Sequence, residues 1–162
     1  MDVSGYRYSE SVVIKRPAAE LFAIVSDVGR MGRLSPVCQA GTWDDPTQAG
    51  QVGAWFTGHN AVGEVRWDTR CQVVASRPGE EFTFINFGPD GEVELVQWGF
   101  TLHEDPDGTT VTESWQVLPA YPEFVRGGHE DLDVKARIDG MEVMAKEGIA
   151  TTLANLQQMA GS

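Results

Sequence analysis

The hydrophobic and polar positions of this chain follow two different periods, and the changes between them divide the sequence into predicted elements. Apolar and aromatic residues alternate with polar ones over residues 6–16, with Glu10 as the exception, which predicts a first strand. Pro17 ends that strand and suits the first turn of a short helix that has an apolar side. Residues 29–34 predict a second short helix, which Ser35-Pro36 closes because proline disfavours helix in the residue before it.

Alternation continues between Val37 and Pro119, and five clusters of turn residues interrupt it. These clusters are Asp44-Asp45-Pro46, Asn60-Ala61-Val62-Gly63, Arg77-Pro78-Gly79, Gly88-Pro89-Asp90-Gly91 and Asp105-Pro106-Asp107-Gly108. Hairpin-type turns at this spacing predict a continuous antiparallel meander of six strands, or about seven with the first. Residues 130–160 then carry apolar residues at steps of three and four, which predicts one long helix able to cross the whole sheet.

The alternation also predicts what the sheet encloses, because residues of one parity share a face of a strand. In residues 64–75 a charged and polar set alternates with the set that contains Trp67, so Trp67 is predicted to face inward. The same test places further rings and one amide on the inner face: Phe56, Phe82, Phe84, Asn86, Trp98, Phe100 and Trp115. Such rings either pack as a solid core or line an internal pocket.

Glu113 shares the inward parity of Trp115, and an unpaired carboxylate in an enclosure is costly. Three alternatives follow: a bulge that turns the side chain outward, a structural hydrogen bond, or a role as polar anchor or proton-transfer group. On the long helix, Met141, Met144 and Gly148 suit an adaptable pocket wall, although ordinary gap-filling explains them equally well.

Charge narrows the classes of partner. Twelve Lys and Arg stand against 24 Asp and Glu, so the net charge of -12 disfavours nucleic acid and anionic membrane surfaces. No apolar run approaches the ~18 residues of a membrane span, and the first residues lack a signal-peptide pattern. We therefore expect a soluble, cytoplasmic protein with no membrane insertion.

The residue types that hold metals or cofactors are scattered. Cys38 and Cys71 lack a second ligand at zinc spacing and are expected to be reduced thiols, while His59, His103 and His129 stand in three separate turn or loop regions. The glycines do not form a phosphate loop before a helix. Neither a metal nor a cofactor is expected.

Several segments resemble one known group of proteins. The segments Ser35-Pro36-Val37-Cys38, 53–60, 67–71 and 111–115 are similar to bacterial polyketide cyclase/dehydrase and lipid-transport proteins of the START-like, helix-grip superfamily. The resemblance spans about residues 8–160 and implies one α+β domain over 1–162, in which a curved antiparallel sheet wraps around the C-terminal helix. Members hold sterols, lipids, polyketides or plant hormones in a cavity between sheet and helix, and some polyketide members are aromatase/cyclases.

Three functions follow as hypotheses. The first is binding or carriage of a hydrophobic small molecule by a monomer or weak homodimer; the alternatives are an aromatase/cyclase-type enzyme and a protein-interaction or stress-response module without ligand. The predicted ligand-binding set is Phe56, Asn60, Trp67, Phe82, Phe84, Asn86, Trp98, Phe100, Glu113, Trp115, Met141, Met144 and Gly148. Glu113 is also the candidate catalytic residue, and the predicted entrance is formed by His59, Tyr121 and Phe124.

Overall fold

A computed structural model describes residues 1–129 and 132–161 of the chain. The strands are β1 (Arg7–Ile14), β2 (Cys38–Trp43), β3 (Trp55–Val62), β4 (Val65–Arg77), β5 (Glu81–Phe87), β6 (Glu94–Asp105) and β7 (Gly108–Val117). The α-helices are α1 (Ala18–Val25), α2 (Tyr121–Arg126) and α3 (Val134–Met159). Two short 3-10 helices span Val28–Arg33 and Pro46–Gln48.

All seven strands belong to one antiparallel sheet in the order β1-β7-β6-β5-β4-β3-β2. This arrangement, together with the long C-terminal helix, confirms the predicted helix-grip fold. The differences are local. The second predicted short helix is a 3-10 helix, α2 was not predicted, and α3 begins at Val134. Residues 130 and 131 of the predicted long helix lie outside the described residues.

Side chains fix where two of the helices begin. Asp133 accepts a hydrogen bond from the Ala136 N–H at 2.9 Å, which caps α3. At α1, Pro17 precedes the first turn and the Glu104 carboxylate at the end of β6 accepts from the Ala18 N–H at 2.5 Å. That bond ties the N-terminus of α1 to the sheet. The positive end of the helix dipole stabilises the Glu104 carboxylate in this position.

The sheet curves through irregularities in its register. The register shifts between Cys38 and Ala40 in β2, between Val73 and Ala75 in β4, and at Asn86 in β5. Each bulge bends its strand and increases the local twist, so the sheet folds around what lies on its inner face.

Different helices cover the two halves of the inner face. Helix α3 packs mainly on β1 and β7, whereas the 3-10 helix Val28–Arg33 packs on β2. Glycine permits the second contact, because a Cβ at Gly32 would overlap the carbonyl oxygen of Gln39. Among the described helices, none is both long and apolar enough to cross a membrane.

The buried apolar side chains of the described residues form two clusters. The larger one, here the helix cluster, joins β1, β6 and β7 to α1 and α3 and includes Phe100, Trp115 and Ile149. The smaller one, here the hairpin cluster, joins β3–β5 to the 3-10 helix and includes Phe56 and Phe82. The inner face between these two clusters is where the candidate site lies.

Candidate functional site

The inward-facing side chains form continuous rows across the sheet, because neighbouring strands pair them directly. One row runs Phe84, Trp98, Trp115 and Tyr8 across β5, β6, β7 and β1. The next row runs Phe82, Phe100, Glu113 and Glu10 across the same strands. A third pairs Phe56 with Cys71 and Cys71 with Asn86. Direct cross-strand pairs bring Cβ atoms to within about 5.5 Å, so each row is a contact surface.

Burial separates the predicted rings into core and surface-lining groups. Phe56, Phe82, Phe100 and Trp115 are buried within the two clusters. Phe84 and Trp98 are only half-buried although they occupy the middle of a row. Trp67 remains 38% exposed, because it stands near the start of β4, beside the β3–β4 turn.

Phe84 and Trp98 lie side by side between the two clusters, on the stretch of the inner face that is here called the groove. Trp98 packs against the helix cluster and Phe84 against the hairpin cluster, and the two residues are directly paired between β5 and β6. Phe22 of α1 contacts both clusters and meets Phe82 edge to face, with ring centroids 6.4 Å apart. Phe22 therefore closes one end of the groove. The sequence predicted only a short helix with an apolar side in this region. That pattern is also typical of helices that pack on a core, so it did not identify Phe22 as a site residue.

One line of positions on α3 faces this groove. Met141, Gly148 and Asn155 are spaced seven residues apart and each is half-buried. Asn155 Nδ2 donates to the carbonyl oxygen of Leu34 at 2.9 Å, which ties α3 to the segment that leads into β2. A Cβ built on Gly148 meets no atom within 4 Å, so there is open space beside this half-buried residue. Met144 lies to one side of the line and is 44% exposed.

Polar groups on the inner face of β3–β5 form a connected strip, here the polar strip, made of Asn60, Thr69, Cys71 and Asn86. Asn60 Nδ2 donates to Thr69 Oγ1 at 3.4 Å, and Cys71 Sγ lies 3.7 Å from the same oxygen. The single hydrogen of Cys71 Sγ is donated to the nearer acceptor, Asn86 Oδ1, at 3.1 Å. Burial raises the pKa of Cys71 to about 12, so its sulfur stays a thiol donor and is not a nucleophile at neutral pH.

Glu113 points into the fold. Its register with Glu10 on one side and Phe100 on the other is regular, so no bulge turns it outward. The residue is 7% exposed, and its Oε1 atom is buried with no hydrogen-bond partner among the described residues. Burial raises the pKa of Glu113 well above its ordinary value, and the nearby carboxylate of Glu10 raises it further. Both effects favour the uncharged carboxylic acid over the carboxylate.

Glu10 has its own partners at the open edge of the sheet. The Tyr8 hydroxyl donates to Glu10 Oε1 at 2.7 Å, and the Lys146 ammonium lies 5.5 Å from the centre of the Tyr8 ring. The hydrogen bond to Glu10 raises the pKa of Tyr8. These contacts involve Glu10 and Tyr8 and leave Glu113 without a partner among the described residues.

The three residues of the predicted entrance have different surroundings. His59 lies on the outer face, because it alternates with the inward Gly58 and Asn60; its ring nitrogens contact Asp68 at 3.0 Å and Thr42 at 2.9 Å. Tyr121 is buried at the start of α2. Phe124 stays partly exposed and packs on the β5–β6 turn, where a Cβ on Gly88 would lie 2.8 Å from its ring.

Two surface depressions lie elsewhere on the protein, outside the groove. One of about 520 Å³ is lined by Lys15–Pro17 and Glu104–Gly108 at the opposite end of the sheet. Another of about 290 Å³ lies among Arg7–Ser9, Gln97 and Ser114–Gln116. Within residues 1–129 and 132–161, no group of three or more His, Cys, Asp and Glu side chains could hold a metal ion.

Solved structures share this architecture. The Polyketide_cyc-like protein Cgl2372 from Corynebacterium glutamicum is 32% identical, with a TM-score of 0.67 over 96% of this chain and 91% of that one. Protein MLL2253 from Mesorhizobium loti is 15% identical, with a TM-score of 0.66 over 96% of both chains. The di-domain ARO/CYC StfQ from the steffimycin biosynthetic pathway is 9% identical, with a TM-score of 0.73 over 96% of this chain and 50% of that one. The last two likenesses concern the fold alone.

A comparison with curated proteins found no match. The family model described as polyketide cyclase / dehydrase and lipid transport matches residues 6–160, which include the whole sheet and the whole of α3. The chain therefore belongs to the polyketide cyclase/dehydrase and lipid-transport family.

Proposed function

We propose that this protein binds and carries a hydrophobic or amphipathic small molecule in the groove between α3 and the inner face of β4–β6. The observation that carries the proposal is the pair Phe84 and Trp98, whose rings keep exposed surface between two buried clusters. They face the inner side of the sheet, on which α3 lies, and a Cβ on Gly148 of α3 would meet no atom within 4 Å. Aromatic rings left half-open on a concave face are typical of ligand sites.

The expected affinity is modest. A ligand that buries ~300 Å² of apolar surface gains about 7 kcal/mol at ~25 cal/mol per Å² before the cost of association. Hydrogen bonds and ring stacking offset part of that cost, so dissociation constants in roughly the micromolar range are expected. Helix α2, with Tyr121 and Phe124, flanks the end of the groove near the β5–β6 turn.

Glu113 favours a second candidate, an aromatase/cyclase-type enzyme. A buried carboxyl group with a raised pKa, whose Oε1 has no hydrogen-bond partner among the described residues, is suited to protonate or hydrogen-bond a ligand carbonyl. Turnover of a polyketide-like substrate that is lost in Glu113→Gln, with binding retained, would favour the enzyme over the carrier.

No observation favours the third hypothesis, an interaction module. Trp43 and Trp55 are the rings that such a surface would use, and both are half-buried. Trp43 packs edge to face on Phe56 at 5.2 Å, and the Arg70 guanidinium lies 5.2 Å from the Trp55 ring.

Trp98→Leu is expected to weaken binding of the neutral dye Nile red at least 10-fold, because it removes a ring that lines the groove. Trp55→Leu is the matched control, since Trp55 is also half-buried but lies on the outer face. We expect it to change the dissociation constant less than about 2-fold. Fluorescence titration of both variants, with native mass spectrometry of freshly purified protein for co-purified ligand, makes the test. Equal weakening by both substitutions would contradict the proposed site.

A further inference from the structure

The inner face of the sheet is free of cationic side chains. Along all seven strands, which the structure describes in full, Lys, Arg and His fall on the outward parity or at strand ends. His59 and His103 are outward, and Arg70 reaches over the outer face to the Asp44 carboxylate at 2.7 Å. The inward carboxyl groups away from the strand ends are those of Glu113 and of Glu10 on the edge strand β1.

A carboxylate or phosphate on a ligand would therefore find no counter-ion on the sheet side of this groove, and the cationic side chains of α3, those of Lys135, Arg137 and Lys146, are exposed to solvent. Removing an anion from water without a paired cation is costly, and the Glu10 carboxylate would add repulsion. Accepting a hydrogen bond from Glu113 would offset only part of that cost. An uncharged ligand has no such penalty.

The polar strip offers hydrogen bonds of the kind an uncharged group can use. Cys71 occupies one acceptor site of the Asn86 carbonyl, whereas the described residues supply no partner for the Asn86 amide nitrogen. The Asn60 side chain donates at 3.4 Å and 3.5 Å, distances that mark weak bonds. Both amides are thus able to bind a hydroxyl or carbonyl oxygen, and Asn86 lies two residues from Phe84 on the same face of β5.

We propose that the groove selects uncharged, ring-bearing ligands, whose hydroxyl or carbonyl oxygen binds the polar strip at Asn86 and Asn60, and that it rejects ligands carrying a carboxylate or phosphate. This inference rests on the proposed function and names the class of ligand for the same site. The rings of Phe84 and Trp98 hold the ligand's ring system, and the strip sets its orientation.

The test uses two anthraquinones with the same 1,8-dihydroxy skeleton. Aloe-emodin carries a hydroxymethyl group where rhein carries a carboxylate, so the pair differs mainly in charge. At neutral pH we expect aloe-emodin to bind at least 10-fold more tightly than rhein by isothermal titration calorimetry, a difference of about 1.4 kcal/mol. The preference should persist in ~0.5 M NaCl, because salt screens the field of the net charge but not the desolvation cost inside the groove.

Asn86→Leu keeps the size of the side chain and is expected to weaken aloe-emodin binding at least 10-fold, because it removes the amide that binds the ligand oxygen. Gln97→Leu on the adjacent strand is the control, because Gln97 is half-buried on the outer face. Rhein binding as tightly as aloe-emodin, a preference that vanishes in high salt, or Nile red binding with no binding of either quinone would each overturn the selectivity and leave the proposed function intact. Failure of Nile red and both quinones to bind would overturn both.

Discussion

Replacing Phe82 by alanine is expected to lower the free energy of unfolding by about 3–5 kcal/mol, because it empties a fully buried ring position. Phe82 contacts Phe22 of α1 edge to face and lies 6.1 Å from the Phe84 ring, so the cavity would open where α1 meets the hairpin cluster. For a chain of this size the melting temperature should fall by about 6–20 °C in a circular dichroism melt.

Phe84→Ala is the matched control for Phe82→Ala. The two rings share one face of β5 and stand two residues apart, but Phe84 is half-exposed in the groove. We expect this substitution to cost about half as much stability or less, and to weaken Nile red binding at least 10-fold. An equal loss of stability in the two variants would show that Phe84 is core, and the distinction between the clusters and the groove would be wrong.

The stability of the protein is expected to decrease as the pH rises above about 5, and Glu113 is the cause. Its pKa is raised in the folded state, so between the unfolded value of ~4.3 and the raised value the folded chain binds the proton that the unfolded chain has lost. The stabilisation that this group contributes is fully present below its pKa in the unfolded state. It is lost as the pH rises through its pKa in the folded state. One proton limits the slope to about 1.4 kcal/mol per pH unit.

Glu113→Gln should flatten this pH dependence, because the amide does not titrate. Carboxyl groups whose pKa is lowered, such as those of Asp44 and Glu81, act in the opposite direction, but only below about pH 4.3. The raised pKa of Cys71 contributes only above about pH 8.5. Urea unfolding at half-unit steps of pH makes the measurement, with Glu92→Gln in an exposed turn as the control. A wild-type slope that Glu113→Gln leaves unchanged would show that the buried acid is ionised.

The alternation of side chains predicted the fold and the inner face well, for a physical reason. Side chains on one face repeat every two residues in a strand and every 3.6 residues in a helix, and the apolar residues of this chain follow these two periods. The inward parity predicted for Phe56, Phe82 and Trp115 agrees with their burial, and the regular strand around Glu113 follows from the same pattern. Helix α2 was missed because its six residues are too few to show a helical period.

Parity alone does not distinguish core from groove. Phe82 and Phe84 are identical in type and parity, and only the position of α1 over one end of the sheet makes the first core and leaves the second half-open. Asn155 was not predicted because its partner, the Leu34 carbonyl, is distant along the chain. His59 was predicted at the entrance because it stands near the end of a hairpin, and the structure places its side chain on the outer face, in alternation with Gly58 and Asn60.

The central claim is that the protein binds a small molecule in the groove. Gly148→Leu tests it most directly, because the new side chain fills the groove without removing any contact. Gly148 has open space where its Cβ would lie. Gly140 also has open space there but is exposed to solvent on another side of α3, so it serves as the control. Both Gly→Leu changes improve helix propensity by about 0.8 kcal/mol, so both variants should melt at or above the wild-type temperature. The account predicts that Gly148→Leu weakens Nile red binding at least 10-fold and that Gly140→Leu leaves it unchanged; a folded Gly148→Leu that binds the dye as tightly as wild type would contradict it.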